Sequence, residues 1–104
     1  MIIDHRTYTI AHGRNKEYLT LFEEQGLPVQ LRHLGNLIGY FATAVGSVNE
    51  VVHLWGYENL ADMETRRAAR DADPDWTVYK KNSAGMLVAQ RNKLLSPVGF
   101  SPLK

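Results

Sequence analysis

Residues 37–45 read LIGYFATAV, residues 46–47 GS and residues 48–57 VNEVVHLWGY. Two runs rich in β-branched and aromatic residues flank a Gly-Ser pair. This reads as an antiparallel hairpin, because glycine at the first central position suits a two-residue type II′ turn. Pairing Val45 with Val48 sets Tyr40 opposite His53 and Ile38 opposite Trp55. One face of the hairpin then carries Ile38, Tyr40, Ala42, Val51, His53, Trp55 and Tyr57, and the other carries Leu37, Phe41, Val45, Val52 and Leu54. Both faces are apolar enough to be buried, and the first is also aromatic and hydrogen-bonding.

Working outward, residues 2–10 alternate β-formers with polar residues, and Gly13 closes the run, so a first strand is expected there. Asn15 is placed to cap a helix whose apolar positions Tyr18, Leu19, Phe22, Leu31 and Leu34 recur at helical spacing. Pro28 has no N–H to donate and its ring crowds the preceding turn. A kinked or two-piece helix is therefore expected, from Asn15 to about Gln25 and from Pro28 to Leu34. On the far side of the hairpin, Asn59 with Asp62 three residues later reads as a helix start that runs to about Ala72. Asp73 and Pro74 start a further helical piece bearing Trp76 and Tyr79. Residues 86–95 alternate as a last strand.

The order β-α-β-β-α-β is the ferredoxin-like α+β plan, a four-stranded antiparallel sheet with helices on one face. Residues 1–95 form this domain, and residues 96–104, punctuated by prolines, form an extended tail that packs on the domain or on a partner subunit. Two helices cover only one side of such a sheet. The face with Tyr40, Trp55 and Tyr57, left open, would be an apolar patch that a soluble monomer rarely exposes. A second copy is expected to cover it, making a homodimeric α/β barrel.

A chain of 104 residues with 44% hydrophobic and 22% charged residues is a single globular domain rather than a disordered one. Its formal net charge is +1, with acids and bases interspersed, which argues against nucleic acid or an anionic membrane as partner. The lack of cysteine excludes thiolate metal sites, iron–sulfur clusters, disulfides and thiol catalysis. A charged residue at position 4 with no long apolar run after it leads us to expect neither a signal peptide nor a membrane anchor, and a cytoplasmic location.

The segments Arg6-Thr-Tyr-Thr-Ile, RHLGNLIGYF (32–41), NEVVHLWGY (49–57), Leu60-Ala-Asp, Arg66-Arg67, Asp73-Pro-Asp-Trp and the closing Phe100-Ser-Pro resemble the NIPSNAP domain family in order and spacing across essentially the whole chain. The resemblance implies the dimeric α/β barrel and no settled enzymatic activity. The mitochondrial and vesicle or mitophagy partners of animal members are not carried over to a bare domain. Met63 follows Asp62 where related helices often place arginine, which removes one ion pair. Barrels of this kind also resemble cofactor-free monooxygenases, heme-degrading enzymes and dehydratases, whose sites lie between sheet and helices or inside the barrel.

Within the aromatic face, His53 is the candidate general acid/base, kept neutral by burial, against a reading as a core imidazole bonded to a tyrosine or a carbonyl. Tyr8, Tyr40, Trp55 and Tyr57 are the candidate ligand-binding rings, against plain filling of the interior. Arg6 is placed either to clamp a carboxylate or to pair with Asp4, Glu50 or Asp62, the ion pair being favoured. Arg66 and Arg70, with Asp62 and Asp73 nearby, read as a solvated ion-pair ladder. The four histidines show no ligand spacing, so neither metal nor cofactor is expected. The leading functional reading is a homodimer that binds a small, partly apolar molecule. The alternatives are an interaction or scaffold module whose aromatic face serves only dimerisation, and a cofactor-free oxidising or proton-transfer enzyme.

Overall fold

The computed structural model describes residues 1–104. In chain order it contains β1 (Ile2–Ile10), α1 (Asn15–Leu21), a π-helical turn (Phe22–Gly26), α2 (Leu27–His33), β2 (Leu37–Ala42), β3 (Glu50–Tyr57), α3 (Leu60–Asp71), α4 (Pro74–Asn82) and β4 (Leu87–Leu95). The strands lie in the order β2-β3-β1-β4 with every neighbouring pair antiparallel, which is the expected ferredoxin-like sheet. No helix is long and apolar enough to cross a membrane.

Four local expectations are corrected. The helix is not broken before Pro28: α1, the π turn and α2 run on continuously, and the Leu27 N–H bonds back five residues to the Phe22 carbonyl. The wider turn keeps the chain helical across a residue that cannot donate. Gly26 belongs to this turn because a Cβ there would stand 2.8 Å from the Phe22 ring and 2.9 Å from the Tyr79 ring. Asn15 does not cap α1. It is the first helical residue, and its side-chain amide donates to the Val48 carbonyl at 2.6 Å, tying the helix start to the loop after β2. That loop, residues 43–49, replaces the expected two-residue turn, and Val45 stands fully out in solvent. The register of the pair is nevertheless the expected one, with Tyr40 opposite His53 and Phe41 opposite Val52, until an irregularity between Leu37 and Gly39. There Leu37, not Ile38, faces Trp55. The extra residue turns Leu37 toward the core and leaves Ile38 against Gly56.

The largest correction concerns the faces of the sheet. Val51, His53, Trp55 and Tyr57 lie beneath the helices, with Trp55 and His53 each 1% exposed, in a core with Tyr18, Phe22, Leu34 and Tyr79. The face away from the helices carries Ile38, Phe41, Val52 and Leu54 on its β2–β3 half and His5, Thr7, Arg91 and Lys93 on its β1–β4 half. An aromatic face that serves only dimerisation is therefore not what this chain builds. The alternation of the hairpin fixes which residues share a face but not which face the helices take, since both are apolar. The bulkier rings go under the helices, where they gain the most buried area.

Capping of α3 and α4 follows the sequence. The Asn59 side chain accepts from the Asp62 N–H at 2.8 Å, and that of Asp73 accepts from the Asp75 N–H at 2.9 Å. Asp73 also receives His33 Nε2 at 2.8 Å and Arg32, which joins the end of α2 to the start of α4.

Candidate functional site

Four of the sequence-derived site residues line a cavity: Tyr57 and Tyr40 each line a separate one, and Arg6 and Tyr8 share a third. Arg6 and Tyr8 are alternate residues of β1 whose side chains rise on the helix side at the edge of the layer, where α3 and α4 leave β1 and β4 partly uncovered. The cleft so formed has a volume of about 280 Å3, and eleven residues line it. Its floor is Tyr8 and its walls include Arg67 and Arg70 from α3 and Trp76 and Lys80 from α4.

α3 explains how the arginines come to be there. The stripe that turns toward the sheet runs Met63, Arg67, Arg70 at helical spacing, and apolar residues would ordinarily fill those positions. Arg70 is only 9% exposed. Its guanidinium lies 4.5 Å over the Trp76 ring and donates from Nε and Nη2 to Asp71 at 3.1 and 3.0 Å. The expected solvated ladder is thus only half formed. Arg66 pairs with Asp62 at 2.8 Å on the surface, whereas Arg70 turns inward and takes Asp71 rather than Asp73.

Arg6 forms the favoured ion pair, donating from Nη1 to Asp4 at 3.1 Å and from Nε to the Tyr8 hydroxyl at 3.0 Å. Burial works against its charge, but the neighbouring Tyr8 and Asp4 more than offset this, and its pKa is raised. Arg67 approaches the same buried Asp4 at 3.7 Å, so a single carboxylate serves two arginines.

His53, Trp55 and Tyr40 are not in the cleft but in the packed layer beside it. Trp55 Nε1–H donates to His53 Nδ1 at 2.8 Å, so the neutral imidazole carries its proton on Nε2, which is buried without a partner. The ring stacks on Tyr40 at 4.5 Å and meets Tyr8 edge-on at 4.6 Å. Burial, then the charge of Arg6 and the proximity of His5, push the His53 pKa down to about 3. Such a group accepts no proton near neutrality. What it can do is fix the Tyr8 ring from below. Burial raises the Tyr40 and Tyr18 phenols above their ordinary range, so both stay protonated. Tyr57 is buried near Asp4, Arg67 and Arg70, and burial raises its pKa as well. No three His, Asp or Glu side chains converge in a way that would hold a metal ion.

Of the sequence-derived residues, Arg6 and Tyr8 line this cleft, and the sequence reading did not bring Arg67, Arg70, Trp76 and Lys80 together with them. The signal was present in α3, as two arginines on a stripe begun by a methionine.

A ferredoxin-like α+β domain with a ligand-sized cleft between sheet and helices is the class that this architecture defines. Among solved structures, a NIPSNAP family protein of Agrobacterium tumefaciens matches with a TM-score of 0.95 and 39% identity, covering 99% of this chain and 98% of that one. A NIPSNAP-like domain protein of Burkholderia xenovorans matches with a TM-score of 0.91 and 43% identity, covering 97% of this chain and 88% of that one. Human NipSnap homolog 3A is 38% identical over 68 residues, which is 65% of this chain but only 28% of the human protein, so the chain spans about a quarter of that relative. The NIPSNAP family model matches residues 3–102, and the chain belongs to the NIPSNAP family. A proposed antibiotic biosynthesis monooxygenase of Bacteroides thetaiotaomicron shares the fold with a TM-score of 0.69 at 19% identity, covering 93% of this chain and 89% of that one.

Proposed function

We propose that this NIPSNAP domain works as a homodimer that binds a small, partly apolar molecule in the cleft between the sheet and helices α3 and α4. The cleft itself carries the reading: about 280 Å3, with an aromatic floor and polar groups converging on it. A cavity of roughly 150 Å3 lined by apolar side chains takes up benzene. The cleft is thus of a size for a one-ring molecule with a polar substituent. His53, neutral and locked by Trp55, supports Tyr8 rather than exchanging protons. Binding rather than proton transfer by this histidine is the activity that fits.

The dimer rests on the other face. Phe41 is 55% exposed there, beside Val52, Leu54 and Ile38, and an apolar strip on an uncovered sheet is the surface that a second copy buries by face-to-face packing. Light scattering on the eluting protein is expected to give twice 11.8 kDa, and 11.8 kDa at micromolar concentration refutes the dimer. Amide and indole NMR shifts during a fragment screen test the cleft. The expected hits move the Trp76 indole and Gln90 while leaving the Trp55 indole in place. Hits that move only residues of the open face, or none at all across the screen, overturn the assignment.

A further inference from the structure

The charge of the cleft narrows what it takes. Four of its eleven lining residues, Arg6, Arg67, Arg70 and Lys80, are cationic, and none is acidic. The acids behind the wall do not balance them. Asp4 is shared by Arg6 and Arg67, at 3.1 and 3.7 Å. The partner of Arg70 is Asp71, whose side chain is 60% exposed and hence a solvated, weak counter-ion for a guanidinium that is itself nearly buried. Arg70 Nη1 donates to nothing in the protein, since its bonds to Asp71 leave from Nε and Nη2. The Lys80 ammonium takes part in none of the ion pairs of the cleft. Two acids against four bases leave an excess of about two positive charges around one small volume.

A charge brought out of water on the buried side of a helix is costly unless something compensates it. Leucine at position 70 would have completed the stripe begun by Met63 without that cost. An arginine there, held 4.5 Å over the Trp76 ring with one nitrogen free, has the planar donor fork that matches an oxyanion. Apolar surface from Tyr8, Trp76 and Leu87 adjoins the charged wall.

We infer that the cleft is an anion site whose ligand is a compact organic oxyanion, with a carboxylate or phosphate head against Arg70, Arg67 and Lys80 and a flat apolar body against Tyr8 and Trp76. This rests on the cleft being the ligand site, as proposed above, and adds the charge and shape of what fills it.

The test uses three one-ring probes on the full chain: benzoate, phenyl phosphate and the neutral benzamide, each titrated at low salt while the Trp76 and Trp55 indole N–H signals are followed. The expected result is that one or both anions move Trp76 at least about tenfold more tightly than benzamide does, in the range that a charge-assisted contact supplies. Whichever anion binds better names the head group. Lys80→Gln, an exposed change that leaves the core intact, is expected to weaken the anion about threefold or more and to leave benzamide unaffected; added salt is expected to act in the same direction. Arg70→Lys keeps the charge but loses the planar fork, and is expected to weaken the anion as well. Equal binding of benzamide and the anions overturns the anion assignment and leaves the cleft as a ligand site. If benzamide alone binds, the same conclusion holds. If no probe moves Trp76 at millimolar concentration, the compact oxyanion is refuted, and the fragment screen then decides separately whether the cleft binds anything.

Discussion

Replacing His53 by glutamine is expected to remove most of the acid sensitivity of this fold between pH 7 and pH 5. In the native protein the imidazole is 1% exposed, and its pKa lies at about 3. In the unfolded chain it returns to about 6.5. The native pKa is the lower one, so the unfolded state binds the extra proton. The contribution of His53 to stability is complete above pH 6.5 and is lost as pH falls toward 3. Going from pH 7 to pH 5 the imidazole of the unfolded chain gains about 0.7 proton and that of the native protein almost none, and the integrated cost is about 2 kcal/mol at RT of about 0.6 kcal/mol. With an m-value of about 1–2 kcal/mol/M, the urea midpoint falls by roughly 1–2 M. Glutamine does not titrate, and its carbonyl can still accept from Trp55 Nε1–H. The variant is expected to be less stable at pH 7 by about 1–3 kcal/mol but to lack this slope. Urea titrations of both proteins at pH 7, 6 and 5, at one fixed protein concentration, give the difference directly. The comparison cancels whatever the other three histidines contribute. Equal slopes in the two proteins, or a His53 pKa near 6 by NMR, would refute the argument that the ring is held neutral by burial.

Other perturbations follow from single contacts. Gly26→Ala places a methyl within 3 Å of the Phe22 and Tyr79 rings and is expected to cost about 1–3 kcal/mol in urea unfolding; an unchanged midpoint would mean that the π turn relaxes freely. Asn59→Ala removes the acceptor for the Asp62 N–H and is expected to cost about 1 kcal/mol, seen as early loss of helical circular dichroism on heating. Phe41→Glu sets a charge on the apolar half of the open face and is expected to weaken the dimer at least about tenfold by sedimentation while leaving the monomer folded, because the ring is already half in water.

The element order was legible because each boundary has a local cause. The ends of β1, the Asn59 cap and the Asp73-Pro74 restart all lie where the sequence places them. The register of Tyr40 against His53 was legible from the hairpin even though the turn was not, because a longer loop can preserve the pairing that a tight turn would have set. The covered face was not legible. It depends on which layer the helices pack against, a tertiary choice that two equally apolar faces leave open. Pro28 misled in a similar way, since its usual effect is absorbed by a turn with an i to i−5 bond that no residue of the segment announces. For the site, Arg6 and Tyr8 were visible as alternate residues of one strand. Arg67 and Arg70 were hidden by their resemblance to a surface ladder, and only the position of Met63 on the same stripe marks them as inward-facing.

The most direct measurement on the proposed ligand site is a crystal structure of the protein with the tightest fragment of the screen bound. The account predicts density between β1, β4, α3 and α4, with the polar end of the fragment within hydrogen-bond distance of Arg70 or Lys80 and its apolar part against Tyr8 and Trp76. Density lying instead between the open faces of two paired sheets, with the cleft holding only solvent, would contradict it.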